Sequence, residues 1–190
     1  FDGARFTVVD PATHPELTSS RFSLVLADPA GGVWVGSEVD GLIHVGPDGA
    51  RVLRANGRPI PALNLSSISD RPGELLECAD GQLIRVRGDR VTALADLRGL
   101  GVARRPRREP NGDVWWIGNT EAVRLRGDRV TRVPLPADFG LRGGDGDYWW
   151  TRDGGATWYQ RGDRFLKITP DGVVRAAGPP ADARRYHRTR

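Results

Sequence analysis

Hydrophobic and polar positions alternate in short runs along most of the chain, and glycine-bearing turns close the runs. "GLIHV" at 41–45, "QLIRV" at 82–86 and "AVRL" at 122–125 place apolar side chains on alternate residues, the period of a strand with one face buried. A tight turn follows each run ("PDGAR", "RGDRV", "RGDRV"), and a further alternating strand leaves it ("RVLRA", "RVTAL", "RVTRV"). Ahead of these pairs stand glycine-led strands of aromatic and branched residues: "GGVWVG" at 31–36, "GELLEC" at 73–78, "GDVWWI" at 112–117 and "GDYWWT" at 146–151. No long segment carries the 3.6-residue period of a helix, and stretches such as "PATHPELTSS" allow only helical turns in connections.

The pattern is periodic. The leading glycines Gly31, Gly73, Gly112 and Gly146 are 42, 39 and 34 residues apart, and the turn glycines Gly49, Gly88 and Gly127 are 39 and 39 apart. A repeat near 40 residues with four short strands predicts an all-β fold of β-propeller blades, each a four-stranded antiparallel sheet that buries its faces only by stacking on its neighbours. About four blades are expected, at 22–56, 65–97, 101–135 and 140–176. Residues 1–9 read as the last hairpin of a preceding blade, and 177–190 as a basic tail or the start of the next. In the fourth unit the preferred register sets "FLKITPDGVVRAA" against "LIHVGPDGARVLRA", with its turn at Gly172. The alternative uses "RGDRFL" at 161–166 as that turn. The preferred register moves the third Arg-Gly-Asp to another loop and makes "TRDGGATWYQRGD" hold an inserted hairpin. Trp34, Trp115 and Trp149 are expected at equivalent positions between blades, with Trp116 and Trp150 on the opposite sides of their strands.

Arg-Gly-Asp occurs three times, and "RGDRVT" at 87–92 returns unchanged at 126–131. The triplet invites an adhesion reading, yet two copies keep the blade period at the hairpin position. Two-residue hairpin loops need positive φ, which Gly supplies freely. The triplet therefore reads first as a turn, with Asp48-Gly49 doing the same in reversed order.

Composition narrows the field. The 190 residues include 25 Gly and 14 Pro, as many short strands joined by many turns require. There is no Met and the chain opens on Phe1, so an internal segment of a longer polypeptide, or a trimmed one, is expected. No apolar run approaches the ~18–20 residues of a membrane helix, and no signal peptide opens the chain. Net charge is +4, with Lys167 the single lysine. Basic residues cluster at Arg104, Arg105, Arg107 and Arg108 and at Arg184, Arg185, Arg188 and Arg190. Both clusters read as a solvated loop and tail, and no nucleic-acid motif accompanies them. Cys78 is the single cysteine and reads as a small buried strand residue.

Candidate chemistry is sparse. His14, His44 and His187 lack a metal-ligand spacing, and Asp145 and Asp147 form an incomplete calcium loop, so no metal and no cofactor are expected. No nucleophile elbow, P-loop or dinucleotide fingerprint occurs. "TRDGGATW" at 151–158 fits the Asp-box pattern of sialidases and related propellers, where the box holds a hairpin together. Glycosidase chemistry would further need a flanking carboxylate pair or a Tyr nucleophile. Trp158 and Tyr159, beside a Gly-rich loop, are the candidate ligand-binding residues, a surface on which a sugar could stack.

"DPAGGVWVGSEVDGLIHVGPDG" at 28–49 resembles the repeat of two-component regulator propellers, Asp-x-x-Gly-x-Leu-Trp-Ile-Gly-Thr followed by Gly-Leu and an aromatic-Asp-Gly turn. The second unit departs from it with Leu76 in place of Trp, and the third with Glu121-Ala122 in place of Gly-Leu. "ITPDGVVRAAGPP" also resembles lyase-type and NHL-type propeller repeats. The resemblance implies a segment of a seven-bladed propeller in the periplasmic or extracytoplasmic sensor half of a bacterial signal-transduction receptor. There the output is a histidine kinase or a diguanylate cyclase, and the receptor works as a homodimer. This chain would then be no enzyme itself; its partners would be neighbouring blades and a carbohydrate ligand, and no nucleic acid. The alternatives are an Asp-box propeller glycosidase and a carbohydrate-binding or adhesion propeller.

Overall fold

A computed structural model describes residues 8–19, 21–62, 67–79, 81–100, 104–139, 147–151, 157–161, 164–169 and 174–178. Most of the opening hairpin at 1–9, the basic tail, Asp145, Gly146 and the turn at Gly172 lie outside these residues.

The chain divides into two compact units, Phe1–Arg98 and Gly99–Arg190. The first unit holds two antiparallel sheets. One is β1 (Phe22–Ala27), β2 (Val33–Ser37), β3 (Gly41–Gly46) and β4 (Gly49–Val52). A two-stranded ribbon, β5 (Arg54–Ala55) and β6 (Arg58–Pro59), follows it in the connection. The other sheet is β7 (Ile68–Arg71), β8 (Glu74–Ala79), β9 (Gln82–Arg87) and β10 (Arg90–Asp96). The second unit holds β11 (Arg104–Arg108), β12 (Val114–Ile117), β13 (Glu121–Arg126) and β14 (Arg129–Pro134), then β15 (Asp147–Thr151), β16 (Thr157–Arg161), β17 (Arg164–Ile168) and β18 (Val174–Ala177). In each sheet the strands pair in chain order, as in a propeller blade. The first strands of consecutive sheets come together, β1 with β7 and β11 with β15.

Alternation decides which side chains seal each pair of sheets. Trp34 and Leu42 of the first sheet meet Leu75, Ile84 and Val86 of the second, with Leu53, Ile60 and Ala62 of the connection filling the seam. The opposite face of the first sheet, Val35 and Ile43, packs under Leu17 and Val9 of the segment before β1. In the second unit Trp115, Ile117 and Ala122 meet Tyr159, Leu166, Ile168 and Val174, with Leu135 and Phe139 from the connection. Each connection is pinned to the turn it crosses. The Leu53 amide donates to the Leu42 carbonyl (2.8 Å), and the Leu135 amide to that of Thr120 (2.9 Å). Gly118 allows the closest approach, since a Cβ there would sit 2.3 Å from the Leu100 carbonyl oxygen.

The hairpin turns show why the Arg-Gly-Asp sequence recurs. Arg87 pairs with Arg90 and Arg126 with Arg129, leaving Gly-Asp as the two-residue loop. Gly88 (φ 55°) and Gly127 (φ 60°) take positive φ while their aspartates do not, which is a type II′ turn. The first sheet is built differently from the expectation. Gly46 pairs with Gly49, so Pro47-Asp48 is the loop and Gly49 (φ 116°) opens β4.

The fourth sheet keeps the preferred register, with its third hairpin between β17 and β18 and the third Arg-Gly-Asp in another loop, and corrects two other expectations. Arg161 pairs with Arg164, so the third Arg-Gly-Asp spans the β16–β17 connection. "TRDGGATW" joins β15 to β16, with Thr151 opposite Thr157, and is the sheet's ordinary first hairpin with no inserted strand pair. It follows that Trp149 lies on the first strand. Trp158, on the second strand, stands in the place of Trp34 and Trp115.

Candidate functional site

One cross-strand pair recurs in all four sheets. Trp34 lies opposite His44, Leu76 opposite Arg85, Trp115 opposite Arg124 and Trp158 opposite Lys167. Each pair joins the second strand of its sheet to the third, and three of the four set a basic side chain against an indole. The His44 ring stands 4.3 Å from that of Trp34. The Arg124 guanidinium and the Lys167 ammonium each lie 5.6 Å from the centre of their indole rings. An ammonium or guanidinium over an aromatic face is attracted to the ring quadrupole.

A carboxylate completes three of these pairs. Asp113, 1% exposed, accepts from Arg124 Nε (2.6 Å) at Oδ2, and from Arg126 Nε (2.7 Å) at Oδ1 and its terminal nitrogen (2.9 Å) at Oδ2. Glu74 holds the corresponding place in the second sheet. Its Oε2 accepts from Arg87 Nε at 2.8 Å, and Arg85 Nε stands 3.4 Å away. In the first sheet the acid comes from the β1–β2 turn, where Asp28 Oδ2 accepts from His44 Nε2 (2.9 Å). Asp28 Oδ1 accepts from the amides of Ala30 (2.9 Å) and of Gly73 in the next sheet (2.8 Å). Burial pushes the Asp28 carboxyl up, but these two amides and the imidazole together hold it below the usual range. Glu109, in the corresponding turn of the third sheet, accepts from the Thr157 hydroxyl of the fourth. Within each unit, then, a carboxylate from the first turn of one sheet fastens the next sheet.

The two expected ligand-binding residues separate. Tyr159 has no exposed surface; it packs against Phe139 with ring centres 6.0 Å apart, and its hydroxyl accepts from the Arg161 guanidinium (3.2 Å). A ring so placed is a core residue and offers no face to a sugar. Trp158 and Lys167 are half-buried on the other face of the same sheet. The equivalent Trp34 and Trp115 are closed under the following sheets of their units, each with only 1% of its surface exposed. An indole with an ammonium beside it can stack on the apolar face of a sugar ring while the ammonium meets its hydroxyls.

Other polar groups serve the frame. Burial pushes the Asp40 carboxyl up, yet the Thr18 hydroxyl and amide, the Ser19 amide and the Ser37 hydroxyl bring it below the usual range. His14 stands 3.6 Å from Glu16, whose other contact is the Ala50 amide. No group of three His, Cys, Asp or Glu side chains is arranged to hold a metal ion among the described residues. The clamps carry a signal in the sequence. Glu74 opens the second strand of its sheet and Asp113 directly precedes that of the third sheet, Arg85 and Arg87 recur as Arg124 and Arg126, and all three spacings are 39.

No family model matches the chain, and no curated protein does. Solved structures do resemble it. Selenomethionine-substituted virginiamycin B lyase from Staphylococcus aureus matches at 18% identity with TM-score 0.58, over 86% of this chain and 57% of that one. A catalytically inactive variant of that lyase with quinupristin matches at 13% identity and TM-score 0.61, over 88% and 58%. An extracellular domain assigned to a hybrid two component system of B. thetaiotaomicron matches at 15% identity and TM-score 0.56, over 86% of this chain and 22% of that one. At such identities the likeness establishes the fold, and the fold is a β-propeller built of four-stranded blades. The chain spans little more than half the length of the lyases it matches.

Proposed function

We propose that the chain is a ligand-sensing segment of a β-propeller in the extracytoplasmic half of a bacterial signal-transduction receptor, and that it is not itself an enzyme. The likeness to an extracellular domain of a two component system supports a sensing propeller. The ligand reading rests on the Trp158–Lys167 pair, an indole with an ammonium 5.6 Å from its ring centre. Further blades of the full-length protein complete the ring, and a homodimer passes the change in geometry to a kinase or cyclase output. The ligand class is a neutral carbohydrate that stacks on Trp158 while Lys167 meets its hydroxyls.

The test is a titration of the complete protein with neutral oligosaccharides, followed by calorimetry and indole fluorescence. Binding that is lost at least tenfold in Trp158→Ala and kept in Tyr159→Phe supports the reading. Equal affinity in Trp158→Ala would overturn the site. Release of reducing sugar, or consumption of quinupristin, would overturn the assignment as a non-enzyme.

A further inference from the structure

Glu77 breaks the pattern of its sheet. It lies on β8 two residues after Leu75, which places both side chains on the face that meets the first sheet. The corresponding residues elsewhere are Val35, Trp116 and Tyr159, and Glu77 is likewise fully buried. Its Oε2 accepts from the Ser67 hydroxyl, and its Oε1 has no hydrogen-bond partner. A carboxylate left this way is costly, so the site favours the neutral acid.

Among the described residues the surroundings supply no counter-charge. The first sheet presents Trp34 and Leu42, the connection Ile60 and Ala62, and β9 presents Ile84 directly opposite Glu77. Cys78 is the adjacent titratable group, and its thiol is itself pushed up to about 11 by burial, with Glu77 adding to the rise. Glu74 and Arg85 lie on the opposite face of this sheet, bound to one another and to Arg87. Asp28 and His44 sit at the far end, where Asp28 meets Gly73. Asp40 is held by Thr18, Ser19 and Ser37 on the far side of the first sheet.

We propose that Glu77 is a protonation switch built into the joint between the first two sheets, holding the joint closed while its carboxyl is neutral and loosening it once the carboxyl ionises. Burial, opposed only by the Ser67 bond, raises its carboxyl from 4.5 to about 7. A raised folded value means that the stabilisation is whole below about 4.5 and drains away as pH climbs through about 7. The proton leaves to solvent, and the ionised form draws water into the seam. This inference is independent of what Trp158 binds, and the test below uses no ligand.

Carboxyl carbon shifts of glutamate-labelled chain, followed by NMR from pH 3 to 9, should show Glu77 titrating near 7. The amide protection of Leu75, Ile84 and Val86, corrected for intrinsic exchange, should fall about tenfold between pH 6 and 8. In Glu77→Gln that fall should vanish. A Glu77 midpoint in the ordinary carboxylate range would overturn the proposal, as would pH-independent protection in the unaltered chain. The same tenfold fall in Glu77→Gln would also overturn it. The carboxyl titration needs no variant, so it decides the matter even where Glu77→Gln folds poorly.

Discussion

Asp113 is the sharpest place to test whether the carboxylate clamps hold the blades. Replacing it with Asn keeps the shape but removes the charge that two guanidinium groups share. The two arginines then part ways, because Arg124 keeps only 15% of its side chain exposed whereas Arg126 keeps 59%. Arg126 can swing into water, and its exposed share of the clamp is worth under about 1 kcal/mol. Arg124 cannot; it is held over Trp115, so its uncompensated buried charge costs about 3 kcal/mol. With a urea slope of about 2 kcal/mol per molar, that loss lowers the unfolding midpoint by about 1.5 M. The assay is urea unfolding followed by indole fluorescence, on Asp113→Asn, Arg126→Ala and the pair Asp113→Leu with Arg124→Met. The expected order is a large loss, a small loss and an intermediate or negligible one, since removing a buried pair together avoids the orphaned charge. Equal losses in Asp113→Asn and Arg126→Ala would refute the argument, because the cost would then follow the exposed partner.

Two further outcomes follow from packing and burial. Gly118→Ala would drive a methyl to 2.3 Å from the Leu100 carbonyl and should cost about 1–3 kcal/mol; Gly88→Ala meets nothing within 4 Å and should cost only the ~1 kcal/mol of its positive φ. The measurement is again the urea midpoint, and a reversed order would contradict the close approach. With its thiol pushed up to about 11, Cys78 should be slow to alkylate in the folded chain and fast in urea; native alkylation at the rate of a free thiol would show the environment to be wrong.

The repeat was legible in the sequence wherever period and alternation agreed. "LIHV", "LIRV" and "VRL" each alternate ahead of a turn whose loop residue demands glycine or tolerates a tight bend, and each lies in the third strand of its sheet. The fourth sheet was harder. "GDYWWT" carries the glycine and the indoles of a second strand, but "GGATW" supplies another turn straight after it, and only strand pairing tells first strand from second. Tyr159 was misjudged for a related reason. Its neighbour Trp158 points the other way, and alternation alone cannot say which face of a sheet the next blade covers. Glu77 was invisible because a lone Glu in an apolar strand looks like an outward-facing residue until the partner sheet is in place.

The Arg-Gly-Asp repeats finish as statements about charge placement. A receptor that reads this triplet needs its guanidinium and its carboxylate together at a free tip. In the first copy the arginine is drawn back along the strand to Glu74, and Asp89 meets Arg51 of the neighbouring sheet at 2.8 Å. In the second copy Arg126 is held by both oxygens of Asp113. The arginine therefore recurs because the clamp needs it two residues beyond Arg85 or Arg124, on the same face of the strand. The glycine recurs because the II′ turn needs positive φ at that place. In these two copies, 39 residues apart, the tripeptide is where a clamp and a turn meet. Substituting Asp89 should on this argument disturb only an exposed ion pair, worth about 0–1 kcal/mol, whereas substituting Glu74 or Asp113 should release the arginine of the same triplet.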